Sequence, residues 1–180
     1  MTQEVQRCRE AIARAREGLC TAVVCSGDCG IYAMAGLILE MLDEEGLLET
    51  LSVEIVPGIP ALAAGSALLG APLMHDFACV SLSDLLTPWE AIEKRIAAAS
   101  QADFVLVLYN PKSKKRNWQL DKALEIIRSS RAAPTPAGVV RNAAREDQQA
   151  WATTLEDLAT SDVDMLCTVF VGNSQTRLAH

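Results

Sequence analysis

An α/β fold is expected, on three observations. Short apolar runs, several rich in β-branched residues, recur along the chain. Between them lie stretches whose apolar residues return at three- and four-residue steps, the period of a helix packed on one face. Four of the runs end in glycine, proline, aspartate or asparagine turns, where strands hand over to the next element. At 180 residues, half of them hydrophobic, the chain can bury a substantial core in one domain or two small ones. A net charge of −7 argues against a nucleic-acid-binding surface over the whole protein. No apolar run approaches the ~18 residues of a membrane span, and the first residues lack a signal peptide's apolar segment. A cytoplasmic location with no membrane partner is therefore expected. The six cysteines form no CxxC pair and have no histidine nearby, so they read as small core residues of a reducing compartment, with no resident metal.

In chain order, residues 4–17 form a charged amphipathic helix through Val5, Cys8, Ile12 and Ala15, closed by Gly18. Residues 21–25 are a β-branched run suited to a buried strand, followed by the turn Ser26-Gly27-Asp28-Cys29-Gly30 and a helix over 34–42. Residues 52–56 and the rigid turn Pro57-Gly58-Ile59-Pro60 repeat the arrangement, leading into a helix over 61–69 that Ala63, Ala64, Gly65 and Ser66 keep slim. Residues 76–81 are a strand whose alternation suits a sheet edge or an interdomain crossing, and the domain boundary is placed here, giving domains 1–80 and 81–180. Ser83 or Thr87 can cap the next helix, which has Pro88 in its first turn and runs through Trp89, Ile92 and Ile96. Residues 104–109 are an almost wholly apolar strand ending in Asn110-Pro111, and 118–127 an amphipathic helix. Residues 135–140 and 165–171 are strands, with a further strand near 151–155. The order β-α-β-α-β-α-β-α-β predicts a largely parallel sheet in at least the first half.

The strand ends carry the unusual residues: Ser26-Gly27-Asp28, Pro57-Gly58-Ile59-Pro60, Tyr109-Asn110-Pro111 and Arg141-Asn142-Ala143. If the strands are parallel these turns lie on one side, lining a cleft with backbone groups, a carboxylate and small side chains, which suits a nucleoside-like ligand. Asp28 is placed to cap the following helix or to attract a cationic ligand. Lys112, Lys114, Lys115 and Arg116 form one basic cluster, a solvated loop or a seat for an anion.

Gly-Asp-Cys-Gly-Ile-Tyr-Ala-Met-Ala-Gly-Leu at 27–37, Val-Pro-Gly-Ile-Pro-Ala at 56–61 and Val-Gly-Asn-Ser at 171–174 resemble the tetrapyrrole methylases. The resemblance covers essentially the whole chain. The segments 81–90 and 109–113, with Asp164-Met165, are most similar to the members that methylate C17 of a corrin precursor and contract its ring. Two turn residues depart from the family pattern, Cys29 for proline and Ala33 for glycine. The family also begins with a strand and a glycine-rich loop that this sequence does not show, so the first domain is expected to be incomplete and self-association, as a homodimer, is expected to cover an open sheet edge.

The resemblance implies two αβα domains of the tetrapyrrole methylase type and S-adenosylmethionine as cofactor. It implies C17 methylation with ring contraction, converting precorrin-3B to precorrin-4 or the cobalt-containing equivalent. The alternatives are another precorrin methylase of the same fold or a non-catalytic ligand-binding fragment. It places Gly27, Asp28, Ile31, Pro60, Ala61, Tyr109, Asn110, Asn142 and Ala143 around the cofactor. Lys112, Lys114, Lys115 and Arg116, with Ser83, become partners for the carboxylates of a tetrapyrrole substrate. Asp84 is the candidate acid or base for ring contraction, with helix capping as its other reading.

Overall fold

The computed structural model describes residues 2–113 and 117–179. Packing divides the chain into two compact units, Met1–Pro60 and Ala61–His180. The division falls before the helix that follows Pro60, ahead of the boundary expected at 80/81, because that helix packs on the second unit's sheet.

The first unit contains helices α1 (Thr2–Arg16) and α2 (Met34–Glu44). They pack through Cys8, Ile12, Met34, Met41 and Leu42, the residues that helical spacing places on their facing sides. Gly18, at φ 85°, closes α1 as its spacing predicts, with the Leu19 N–H reaching back to the Arg14 carbonyl at 3.2 Å. The strands expected at 21–25 and 52–56 are not formed. Neither segment joins a sheet ladder among the described residues, and 52–59 are exposed throughout. Their composition is that of buried strands, but a strand exists only where a neighbour takes its backbone hydrogen bonds, and the described residues of this unit supply none.

The second unit is built on one sheet of five strands, β1 (Phe77–Ser81), β2 (Val105–Tyr109), β3 (Pro136–Arg141), β4 (Gln149–Thr154) and β5 (Cys167–Val171), in the order β1-β2-β5-β3-β4. Only β1 and β2 pair in parallel; β5 runs antiparallel to both β2 and β3, and β4 antiparallel to β3. The sheet is therefore mixed, which corrects the expectation of a largely parallel one: periodicity reads strands but not their direction. β1 is an edge strand, one of the two placements its alternation allowed.

Helices cover both faces. Helix α4 (Trp89–Gln101) and helix α5 (Gln119–Arg128) bury Ile92, Ile96, Leu120, Leu124 and Ile127 against Leu106, Leu108, Val139, Val169 and Val171. The alternate residues Val107, Val140 and Phe170 point to the other face, under helix α3 (Ala61–Leu68). There Gly65 lets the helix onto the ring of Phe170: a Cβ at that position would lie 2.8 Å from the ring edge. Each fully buried Leu, Ile or Val side chain contributes about 1.5–3 kcal/mol, which makes this double-faced sheet the main source of stability.

Helix α4 starts at Pro88 without a side-chain cap, so neither Ser83 nor Thr87 fills the expected role. The edge-on stacking of Trp89 and Trp118, centroids 4.8 Å apart, instead ties the start of α4 to the start of α5. All six cysteines are free, but only Cys8 and Cys167 are buried, so the reading of the set as core residues holds for those two. Among the described residues no helix is long and apolar enough to cross a membrane.

Candidate active site

In the first unit the Gly-Asp and Pro-Gly turns are joined through one carboxylate. Asp28 accepts from the Gly30 N–H at Oδ1 (2.8 Å) and from the Gly58 N–H at Oδ2 (3.0 Å). The Cys29 thiol donates to the Val56 carbonyl at 3.2 Å, a second tie that a proline at 29 would not make. Gly27 adopts φ 79°, and Gly58 lies so close that a Cβ on it would be 2.1 Å from the Gly27 carbonyl oxygen. Thus Gly27, Asp28 and Pro60 lie together, Gly27 facing the Ile59–Pro60 backbone. The Ile31 backbone adds a smaller contribution that favours the charged form of the same carboxylate. Asp28 does not cap α2, whose first residue follows Ala33 with no side-chain cap. Its role is to hold two turns rather than to start a helix. Beside this turn a cavity of about 540 Å³ is lined by Glu4, Arg7, Val24, Ser26, Tyr32 and Met34 among others.

The Gly58 N–H, and after it that of Gly30, hold the Asp28 carboxyl below its ordinary value. A depressed folded-state value means that Asp28 stabilises the fold above the unfolded carboxyl value of about 3.9, and that this contribution is lost as pH falls through the lower folded value. We expect the acid limb of the stability profile below about pH 4 to flatten in Asp28→Asn, measured by urea unfolding across that range. An unchanged acid limb would contradict the assignment.

In the second unit the C-terminal ends of β1, β2 and β3 lie at one sheet edge. The alternation of direction across β2-β5-β3 makes β2 and β3 point the same way, and β1 is parallel to β2. Of the four turns expected to converge, those at 109–111 and 141–143 thus follow strands that end at the same sheet edge, despite the antiparallel strand between them. Asn110 and Asn142 each follow the last residue of a strand, each in the left-handed region, at φ 53° and 51°. Asparagine tolerates that conformation better than other side chains, which accounts for the residue type at both turns.

These turns are pinned by side chains. Asn110 Nδ2 donates to Ser81 Oγ at 2.9 Å, joining the ends of β2 and β1, and the Ser83 N–H reaches the same oxygen at 3.3 Å. Asn142 is buried and donates through Nδ2 to Asp147 at 2.8 Å. The Tyr109 hydroxyl accepts from the Leu62 N–H at 2.7 Å, satisfying a donor in the first turn of α3 that directly follows Ala61. Ala143 packs against the Val107–Val140–Phe170 cluster. Arg141 lies under the same edge, hydrogen-bonded to Asp162 at 3.0 Å and ion-paired with Asp164 at 3.3 Å, its guanidinium 5.8 Å from the centroid of Trp151. The hydrogen bond to Asp162 leads the causes that raise its proton affinity further.

Asp84 is half-buried in the loop between β1 and α4 and accepts from Gln119 Nε2 at 3.1 Å. Leu85 and Leu86 beside it are 61% and 85% exposed, an apolar lip next to a carboxylate. Lys112 is half-buried and 3.8 Å from Asp121. Lys114, Lys115 and Arg116 lie outside the described residues. Gly58, Ser81, Gln119 and Asp147 are among the residues in this picture that the sequence-derived candidates do not include. Gly58 had a signal, being a glycine between two prolines; the others act through partners distant in sequence, which spacing does not reveal.

Residues 2–159 match the pattern of the Tetrapyrrole (Corrin/Porphyrin) Methylases. A probable cobalt-factor III C(17)-methyltransferase of Salmonella typhimurium is 49% identical over 176 residues, covering 98% of this chain and 72% of the relative. A precorrin-3B C(17)-methyltransferase of Sinorhizobium sp is 42% identical, covering 98% of this chain and 70% of its own. The crystal structure of the methyltransferase CobJ superposes with a TM-score of 0.93 at 37% identity, covering 98% of this chain and 74% of that one. The chain thus spans about seven-tenths of these relatives while nearly all of it is matched. Family pattern, sequence identity and backbone agree with the resemblance read from the turn motifs, and the chain belongs to the tetrapyrrole methylases.

Proposed function

We propose that this protein methylates C17 of a corrin precursor, precorrin-3B or cobalt-factor III, in cobalamin biosynthesis, with S-adenosylmethionine as donor. The observation that carries the reading is the sheet edge where Ser81, Asn110 and Asn142 fix three strand ends beside the Asp84 loop. The two C17-methyltransferases that match nearly the whole chain supply the substrate class. We read the architecture as two domains of the family type, the sheet lying in the second and α1, α2 and the turns around Asp28 in the first.

The residues present fit the donor. A cavity of about 540 Å³ lies within the range of small-molecule sites, and its lining carries one charge of each sign, Glu4 and Arg7. The Asp28 carboxylate, kept ionised by two backbone donors, adds negative charge at the neighbouring turn. S-adenosylmethionine supplies a methyl group on a sulfonium that leaves as a neutral thioether, so positioning provides most of the catalysis. Gly27, Asp28, Ile31, Pro60 and Ala61, with Tyr109, Asn110, Asn142 and Ala143, hold and orient the donor. Ser83, Lys112 and the neighbouring Lys114, Lys115 and Arg116 bind the carboxylates of the macrocycle. Asp84 holds or moves a proton during ring contraction. A homodimer in the cytoplasm completes the proposal.

Thermal unfolding with increasing S-adenosylhomocysteine, followed by incubation with each tetrapyrrole and the donor, tests it. A cooperative transition that rises with ligand, and a product heavier by one methyl group, are expected. A transition indifferent to the ligand, with the substrate mass unchanged, would refute the reading.

A further inference from the structure

The amide of Gln119 stands out among the buried polar groups. The residue is 1% exposed at the first position of α5. Its Nε2 donates to Asp84 Oδ2 at 3.1 Å, while its Oε1 has no hydrogen-bond partner among the described residues. A buried acceptor without a partner costs about 1–3 kcal/mol, and leucine at this place would remove that cost. α5 already buries Leu120, Ala123, Leu124 and Ile127, so another apolar residue would extend its packed face. A side chain that is unfavourable for the fold and aimed at a single carboxylate is the pattern of a residue kept for something other than stability.

The surroundings give that carboxylate a fixed frame. Trp118, next to Gln119, stacks on Trp89 at the start of α4, so the anchor of Asp84 moves with the junction of two helices rather than with its own loop. Asp84 is followed by Leu85 and Leu86, whose exposed side chains form the lip beside it. Among the described residues the Gln119 amide is the hydrogen-bond donor that joins Asp84 to α5. A donor fixed on a helix therefore sets where a loop carboxylate points, the requirement for a proton-handling group that must meet a ring atom.

We propose that Gln119 is a positioning residue: its buried amide fixes the Asp84 carboxylate, and with it the Leu85–Leu86 lip, in the orientation that the tetrapyrrole ring meets. This rests on the assignment of Asp84 to the substrate side of the site. Misplacing a reacting group by about 1 Å costs on the order of 100-fold in rate, which sets the expected size.

The test compares wild type, Gln119→Leu, Asp84→Asn and the double variant, all as the full chain. Gln119→Leu is expected to melt no lower than wild type, while kcat falls about 100-fold and KM for the tetrapyrrole changes by less than about threefold. Adding it to Asp84→Asn should cost nothing further, since the effect passes through one carboxylate. Undiminished kcat in Gln119→Leu, or full additivity in the double variant, would overturn the proposal. Asp84→Asn at wild-type rate would instead remove the role of Asp84 itself. A readout independent of turnover is the chemical shift of the Gln119 side-chain amide resonances. They should move between wild type and Asp84→Asn; identical amide resonances in the two proteins would overturn the contact.

Discussion

Gly58→Ala weakens S-adenosylhomocysteine binding by about 100-fold, because it separates the two turns on which the proposed donor site is built. The new Cβ would stand 2.1 Å from the Gly27 carbonyl oxygen, 3.0 Å from its carbonyl carbon and 3.3 Å from the Asp28 Cα. All three are backbone atoms, so no rotamer change relieves the clash; one turn must withdraw from the other. Withdrawal breaks the 3.0 Å bond from the Gly58 N–H to Asp28, the leading cause of that carboxyl's depressed proton affinity. The cost to the fold is about 1–3 kcal/mol, in the range for overpacking. Gly36→Ala is the control: it sits in α2 with nothing within 4 Å of its added methyl, and alanine favours a helix over glycine by about 1 kcal/mol. Calorimetric titration of both variants checks the pair. Equal affinity in Gly58→Ala and wild type would show that the turn contact does not shape the donor site.

Arg131→Met lowers the stability of the second unit by about 1–3 kcal/mol, the range for leaving buried acceptors without a donor. Arg131 is 8% exposed in the connection between α5 and β3, and its guanidinium donates to the carbonyls of Gly172, Phe104 (2.6 Å) and Ser100 (3.4 Å). It thereby joins the exit of β5, the entry of β2 and the last turn of α4. Its Nε lies 3.7 Å from Asp103, which is itself held by the Ser174 hydroxyl at 2.5 Å and N–H at 3.0 Å. Burial lowers the proton affinity of Arg131 and Asp103 raises it, and a guanidinium stays charged under either influence. Methionine fills the space but takes the guanidinium donors from the Gly172 and Phe104 carbonyls, while the Ser100 carbonyl keeps the Asp103 N–H and the Asp103 carboxylate keeps Ser174. Arg131→Lys recovers little, since one ammonium cannot reach carbonyls arranged for a planar fork. The melting temperature should fall on the order of 10 °C in the methionine variant. A fall of less than about 2 °C would show that water takes over the carbonyls.

Much of the second unit was legible in the sequence. The runs that became β1, β2, β3 and β5 are apolar and bounded by turn residues, and each strand falls within a residue or two of its expected place. What remained hidden is of two kinds. Strand direction depends on which strands become neighbours, so β5 between β2 and β3 could not be read from periodicity. The segments 21–25 and 52–56 show the converse, a strand-like composition without a ladder, because a strand is a property of a pair. At the site, Gly27, Asp28, Asn110 and Asn142 were legible as turn residues. Ser81, Gln119 and Asp147 were not, since each matters through a partner that only the fold brings near.

The placement of the aromatic residues has a practical consequence for experiments on the two units. The chain has three tryptophans. The stacked pair, Trp89 and Trp118, and Trp151 beside Arg141 all belong to the second unit. Intrinsic indole emission excited at the red edge therefore reports the sheet and is blind to the turns around Asp28. An unfolding curve recorded in that channel would return a normal transition for Gly58→Ala even with its first unit melted. Far-ultraviolet ellipticity sees α1 and α2, so divergence between the two signals measures how far the units unfold as one.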